Sequence, residues 1–531
     1  MKGKFKMKTI YLNGTVRTMA GGETAEALVE ENGRILETGR ADALLAAHPQ
    51  AQRFDLQGHA LLPGFIDGHS HITALAQTLL LCDLQGVKSF DEIAARLRAF
   101  RSERQLAPGA WIMGFGYDPT ALAEGAHPTA AFLDAVLPEN PALLTHASGH
   151  MGVLNSAALQ ALGVTRDTPA PEGGVIGRNP DGTPNGYLEE AAFTQITARA
   201  PRPGADQAVQ SLLAAERIYL RNGITTIQEG LTRAPEWALL TAVREKLTAD
   251  VVAYVDIACA GLLHENASYA AGYRGRLRIG GYKLFLDGSP QGRTAWMTAP
   301  YADDPDYRGY PVHSDAEVER CMLQAVRENR QILVHCNGDA AADQMIAAYR
   351  KARERCPNDV RPVMVHAQLV RRDQLAEMAS LNMIASFFAA HVYHWGDVHL
   401  KNFGPERAAG ISPVRTALAL GVHCNFHQDS PVLPPDMLET LRCVVQRRTK
   451  NGVLLGPDER IPPLAALHCM TAGAAYAYFE EDRKGTLEAG KAADMVVLNR
   501  DPAACTETEL ADLEVLATVK NGKTVYRKES R

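Results

Sequence analysis

Residues 61–72 read LLPGFIDGHSHI, an apolar run closed by two histidines one residue apart, His69 and His71. On a strand, residues two apart share a face, so both imidazoles would look toward one point in space. That geometry suits a metal ion. An isolated HxH is more often a turn satisfied by backbone and water, so the reading stands or falls with further ligands elsewhere in the chain.

Working outward, the middle of the chain alternates apolar β runs with amphipathic helical stretches, the pattern of a parallel sheet with helical crossovers. Candidate strands begin at Leu61, Gly223 (GITTIQE), Val251 (VVAYVDI), Arg278 (RIGGYKLFLD), Ile332 (ILVHCN), Pro362 (PVMVHAQ), Met383 (MIASFF) and Val422 (VHCNFHQD). MIASFF reads equally well as buried helix. A set of eight favours an α/β fold closed as a (β/α)8 barrel over residues 61–479, with function at the carboxyl ends of the strands. About 150 residues separate the first two strands, far more than a loop, so an inserted subdomain is expected over 75–215, as a lid or pocket wall. The glycine-punctuated segment from Leu286 adds another loop.

Both ends of the chain are β-rich in a different style. Short alternating strands occupy residues 1–60, with an ENG turn, and recur over 480–531, with a second turn at Asn521 and Gly522. A composite β-sandwich built from 1–60 and 480–531 explains this economically.

Composition narrows the function. The chain has 531 residues, 46% hydrophobic and 22% charged, with a net charge of −6. That is globular and gives no electrostatic case for nucleic acid or an anionic membrane surface. Nine scattered cysteines without CxxC spacing point to free thiols in a reducing compartment. The lysine-containing start passes directly into a strand pattern, unlike a signal peptide, and no run is long enough to span a bilayer. A cytoplasmic enzyme with a small-molecule substrate, homodimeric by default, is the expectation.

The strand ends carry a consistent set of polar residues: His69 and His71 on the first, Lys283 on the fourth, His335 on the fifth, His366 on the sixth and Asp429 on the eighth. Each has an ordinary reading alone; Asp429 could cap a turn and His366 could be a bonded core histidine. Six such residues on one face are harder to explain separately. Neutral imidazoles suit zinc and similar divalent ions. An ammonium cannot ligate, but carboxylation of Lys283 would give an anionic group able to bridge two ions about 3.5–4 Å apart. Without that modification its role is a salt bridge.

PGFIDGHSH, GHMGVLNSAAL from Gly149, GYKLFLDGSPQGRTA from Gly281, HCNGDAAAD from His335, VHAQLV from Val365, AAHVYHWGD from Ala389, HQDSPV from His427 and GTLEAGKAADMVVL from Gly485 together resemble the amidohydrolase superfamily, within it the YtcJ-like branch that includes N-substituted formamide deformylases. The resemblance covers nearly the whole chain. It implies a distorted (β/α)8 barrel with the composite β-sandwich already suggested, and one or two divalent ions, zinc first, two if Lys283 is carboxylated. His69, His71, His335 and His366 match the ligand histidines, Lys283 the lysine carboxylated in two-metal members, and Asp429 the ligand aspartate that acts as general base and acid. HQDSPV departs from the GSD more common before PV, and GYKLFLDGS matches less closely than the histidine motifs do.

The function implied is metal-assisted hydrolysis of a C–N bond, amide or N-formyl/N-acyl, with Asp429 moving the proton. A deaminase or a lactonase or esterase on the same scaffold is the alternative, and a non-catalytic binding protein would be expected to lack ligands. Candidate substrate contacts are His150, His391, His394 and Trp395, with Glu190, Arg178 and Tyr187 in the insertion. Asp339 is expected to cap its helix or orient a ligand histidine. The aromatics Trp111, Phe115, Tyr117, Trp296, Tyr393 and Trp395 suggest a hydrophobic or aromatic substrate.

Overall fold

The opening stretch does not form one strand. In the computed structural model, which describes residues 8–21, 24–201 and 204–529, Ala60–Pro63 pairs antiparallel with Met495–Leu498, whereas Phe65–Ile66 joins a different, parallel sheet. Gly64 makes the switch, and a Cβ there would lie 2.5 Å from Thr225 Cγ2. One apolar run thus serves two cores.

The chain divides into two compact units, Met1–Leu75 with Leu213–Arg531, and Ala76–Leu212. In the first, eight parallel strands follow one another in sequence order: β1 (Phe65–Ile66), β2 (Ile224–Thr232), β3 (Asp250–Asp256), β4 (Leu277–Phe285), β5 (Gln331–Cys336), β6 (Val363–His366), β7 (Ile384–Phe387) and β8 (His423–Phe426). MIASFF is therefore strand, buried at every position of β7. The sheet curls far enough for Gly68, just past β1, to donate its N–H to Phe426 O of β8 at 3.1 Å. Residues such as DVVAYVD are buried on both faces, as a parallel strand under helical cover requires. Ile66, Val252, Tyr254, Leu333, Val363, Val365 and Ile384 pack with Ala474, Ala475 and Tyr478 into one apolar cluster.

Strands from the two ends of the chain share a second sheet: Lys523–Arg527, Val515–Lys520, Met495–Leu498, Ala60–Pro63, Thr15–Arg17 and Thr24–Ala25, in that order. A four-stranded sheet of Arg34–Gly39, Ala27–Glu31, Lys8–Leu12 and Gln52–Asp55 faces the same core, with Tyr11, Leu28 and Ile35 meeting Leu61, Met495, Val497 and Val519. Both Asn-Gly turns are tight hairpins with left-handed backbones, φ 55° and 81° at Asn32 and Gly33, 47° and 73° at Asn521 and Gly522. The lysine-containing start at residues 1–7 lies outside the described residues.

A buried ion network ties this sheet to the parallel one. Asp250, opening β3, takes Lys484 Nζ at 2.6 Å and Lys520 Nζ at 2.8 Å on one oxygen, and Lys520 also reaches Asp494 at 2.7 Å. Burial alone would raise the Asp250 carboxyl, but the two ammonium groups hold it far below the usual range. Asp250→Ala removes the anion that two buried lysines share, leaving Lys520 with Asp494 and Lys484 with Glu480, and is expected to cost about 3 kcal/mol in chemical denaturation. Because the folded-state value is depressed, this contribution is present above the unfolded pKa of about 3.9 and is lost as pH falls below it. The variant should therefore lose less stability on acidification than the parent.

The second unit has its own mixed sheet, ordered Gly174–Arg178, Pro184–Glu189, Met151–Leu154, Ala142–His146, Ile112–Tyr117 and Cys82–Asp83, with apolar clusters built on Leu97 and Leu144 and on Leu154 and Leu188. Tyr117 is fully buried in the first of these and Trp111 packs on the second, so these two aromatics serve the unit's own core.

Candidate metal centre

Toward its carboxyl end β2 carries Gln228, Glu229 and Gly230, which seat the first two histidines. His69 Nδ1 lies 2.5 Å from Gln228 Oε1, and the Gln228 amide nitrogen donates to Gly68 O at 2.8 Å and to the Tyr478 hydroxyl at 2.7 Å. A carboxamide oxygen only accepts, so His69 carries its proton on Nδ1 and turns the Nε2 lone pair inward. His71 presents Nδ1 to Glu229 Oε1 at 3.6 Å and Nε2 to Asp429 Oδ1 at 3.4 Å.

The shared strand face expected for His69 and His71 is not what brings them together. β1 stops at Ile66, and both histidines lie on the irregular segment beyond it. Three backbone contacts hold that segment: Gly230 N–H donates to Ser70 O at 2.7 Å, His71 N–H to Ser430 O at 2.8 Å, and Asp429 N–H to His69 O at 3.2 Å. Gly230 also leaves room, since a Cβ there would lie 2.3 Å from His69 Cε1. Gly230→Ala should displace the imidazole and weaken metal affinity by about 10- to 100-fold, read by competition with a chromophoric chelator, with the circular dichroism spectrum unchanged.

The other four residues complete the cluster. Lys283 on β4 is fully buried, forms no ion pair among the described residues, and places Nζ 3.1 Å from His69 Nε2. His335 of β5 turns Nε2 toward Gly288 O at 3.3 Å, so Nδ1 faces His366 Nε2 at 3.0 Å. Asp429 joins the two groups, with Oδ1 3.6 Å from His69 Nε2 and Oδ2 4.0 Å from His366 Nε2. His366 and Asp429 adopt left-handed backbones, φ 75° and 52°, a strain of about 1–3 kcal/mol each that the surrounding contacts must sustain.

Electrostatics favours a cation. Burial pushes His69 and His366 well below the usual imidazole range and, with Lys283 adding to the effect, takes His335 to about 4, so these side chains are neutral with lone pairs available. Burial likewise lowers Lys283 to about 7 against the opposing pull of Asp429. Burial would depress His71 too, but the Asp429 and Glu229 carboxylates beside it lift it to about 9. The Asp429 carboxyl, which burial would raise, is held well below its ordinary range by His71, His366 and His69. Ligand atoms of His69, His71 and Asp429 lie within 4.8 Å of one another, and buried Asp429 Oδ1 makes no hydrogen bond. An anionic oxygen without a hydrogen bond among the described residues, facing His69 and His71, fits a divalent ion, whose binding would displace the proton that the two carboxylates otherwise hold on His71.

One neighbour escaped the sequence. His427 is fully buried, with Nε2 3.2 Å from His366 Nδ1 and Nδ1 2.8 Å from Ser386 Oγ, and burial takes it to about 3. It links His366 to β7 as Gln228 links His69 to β2. The only signal was its place two residues before Asp429. Asp339, expected to cap its helix or orient a histidine, does neither. It is the first residue of α1 (Asp339–Arg355), one position too late to cap, and its carboxylate takes Thr298 N–H at 2.8 Å and Arg371 at 3.2 Å, pinning the loop after β4.

The candidate substrate residues fall in two places. His391 and Trp395 lie at the start of α2 (His391–Ala409) with ring centroids 4.4 Å apart, and His394 is taken up by Glu439 at 3.2 Å. In the inserted unit, His150 pairs with Glu190 at 3.3 Å, Tyr187 donates to Glu189 at 3.0 Å, and Arg178 spends its terminal nitrogens on the carbonyls of Arg166, Thr168 and Gly182.

The model of the amidohydrolase family matches residues 52–526. The chain belongs to that family. YtcJ of Bacillus subtilis (strain 168), a protein named as an amidohydrolase, is 30% identical over 98% of this chain and 100% of its own length. The N-substituted formamide deformylase of Arthrobacter pascens is 29% identical over 98% of each chain. Among solved structures, an uncharacterized metal-dependent hydrolase from Pyrococcus furiosus superposes with a TM-score of 0.76 at 27% identity, covering 93% of this chain and 100% of that one. The curled parallel sheet with mixed α/β content is thus an amidohydrolase fold.

Proposed function

We propose that this amidohydrolase is a metal-dependent enzyme that hydrolyses the C–N bond of an N-formyl or N-acyl compound, small and hydrophobic or aromatic, on a (β/α)8 barrel flanked by a β-sandwich from both chain ends. The observation that carries the reading is the convergence of His69, His71, Lys283, His335, His366 and Asp429 within short contact of one another. The formamide deformylase among its relatives supports the choice of bond. His69, His71, His335, His366 and Asp429 would hold a divalent ion, zinc by the donor set, which when bound would supply the Lewis acidity that lowers the pKa of water toward about 7 and polarises a substrate carbonyl.

The chain's own residues do the rest. Asp429, ionised and held by its left-handed backbone, takes the proton of the attacking water and returns it to the leaving nitrogen. Gln228 and Glu229 fix the orientation of His69 and His71. Lys283, buried without a counter-ion and against His69, would join the ligand set as a carbamate, making the centre binuclear. Phe388, His391 and Trp395 form an aromatic wall beside His427 that suits an apolar acyl or N-substituent. No helix among the described residues is long and apolar enough to cross a membrane, and the nine cysteines are all free thiols; we place the enzyme in the cytoplasm, as a homodimer acting on a small molecule.

Metal analysis with a screen of N-formyl, N-acetyl and other N-acyl amines tests this. One or two ions per chain and release of the free amine are expected. Ammonia released from a ring amine, with no acyl product, would replace it with the deaminase reading.

A further inference from the structure

The hydrolase reading leaves open which group meets the substrate's carbonyl oxygen, and the histidines at the start of α2 answer that. His391 is buried, and its ring packs 4.6 Å from the Phe388 ring, which itself lies 5.3 Å from His427 and 6.2 Å from His366. It stands beside the metal cluster, close enough to feel the charge of Asp429, without belonging to the ligand set. His391 Nδ1 lies 3.2 Å from His399 Nε2, about two helical turns along, and the two ring planes are parallel to within 15°. His391 Nε2 has no hydrogen-bonding partner among the described residues.

The direction of the His391–His399 bond follows from the far side of His399. Burial holds both imidazoles neutral, so each carries one N–H. His399 Nδ1 is buried with no hydrogen-bonding partner among the described residues. If the proton sat there, a desolvated N–H would be left without an acceptor, the costlier of the two unsatisfied states; a bare lone pair is tolerated better. The His399 proton therefore sits on Nε2 and is donated to His391 Nδ1. His391 must then carry its own proton on Nε2.

We propose that His399 holds His391 in this tautomer so that the His391 Nε2–H is offered to the substrate's carbonyl oxygen and to the oxyanion that develops as water adds. This rests on the hydrolase reading above. It makes His391 a catalytic residue acting by hydrogen bonding and His399 a positioning residue acting through it. A donor fixed in place before the reaction, in a dry site, is the kind of group whose removal lowers kcat rather than binding.

Nitrogen-15 spectra of histidine-labelled protein, assigned by loss of signal in His391→Phe, read the tautomer directly. A protonated Nε2 and bare Nδ1 at His391 are expected in the metal-loaded enzyme, and the opposite tautomer overturns the proposal whatever the enzyme hydrolyses. On an N-acyl substrate, His399→Leu should lower kcat by about a hundredfold with little change in KM or metal content. His399→Gln, whose amide can still donate to Nδ1, should recover most of that loss. His399→Leu added to His391→Phe should cost nothing further; an equal loss in both backgrounds would show a merely structural role. Absence of turnover on every C–N substrate would count against the hydrolase reading, with the spectrum still deciding the tautomer.

Discussion

Asp429→Asn is expected to leave metal content near that of the parent while kcat falls by on the order of a thousandfold. The carboxamide keeps an oxygen where Asp429 Oδ1 faces His69 and His71 at 3.6 and 3.4 Å, so the site can still be filled. It cannot take a proton from water or hand one to a leaving nitrogen. Metal analysis and steady-state kinetics on the same preparation separate the two effects. Activity within a few-fold of the parent would remove Asp429 as the proton carrier; joint loss of metal and activity would reduce it to a ligand.

His69→Ala should bring the other large effect, loss of the ion itself. His69 is the hinge of the cluster, contacting Lys283 Nζ and Asp429 and held by Gln228 on its other nitrogen. Turnover should drop to background and metal per chain should fall. The melting temperature should also fall, because a ligand present at about a hundred times its dissociation constant stabilises the folded state by about 2.7 kcal/mol. Adding zinc to chelated parent enzyme should restore both properties, and adding it to the variant should restore neither. A variant that keeps its metal and its melting temperature would move the binding site away from His69.

The backbone periodicities of this fold were legible because they are local. A period of two with Asn-Gly punctuation marks the hairpins at 27–39 and 515–527, and doubly buried β-branched runs mark the parallel strands; both patterns reflect what one short segment can bury. Gly64 shows where that reasoning stops. Nothing in LLPGFID itself says that its first three residues belong with Met495–Leu498 and Phe65 and Ile66 with Ile224–Thr232, because the division depends on which partners arrive on either side.

The same boundary runs through the site. The residue types of the candidate ligands and their positions near strand ends were readable, since the ability of imidazole and carboxylate to bind a cation belongs to each side chain by itself. The supporting residues were not. Gln228, Gly230, Ser386, His399 and His427 are ordinary in their own segments and acquire meaning only from a neighbour dozens or hundreds of positions away. Asp339 erred in the other direction: its motif suggested a cap, but the helix begins one residue earlier than capping needs, and the carboxylate went to a loop.

Taken by itself, the sequence determined the class of architecture and the donor types of the candidate ligands, since burial pattern and donor type are properties of residues in short stretches. Only the tertiary structure decided which nitrogen each histidine turns inward and why His69 and His71 meet off the strand. Those outcomes depend on hydrogen bonds and excluded volume between segments distant in the chain, and no local pattern encodes which distant atom will occupy the space.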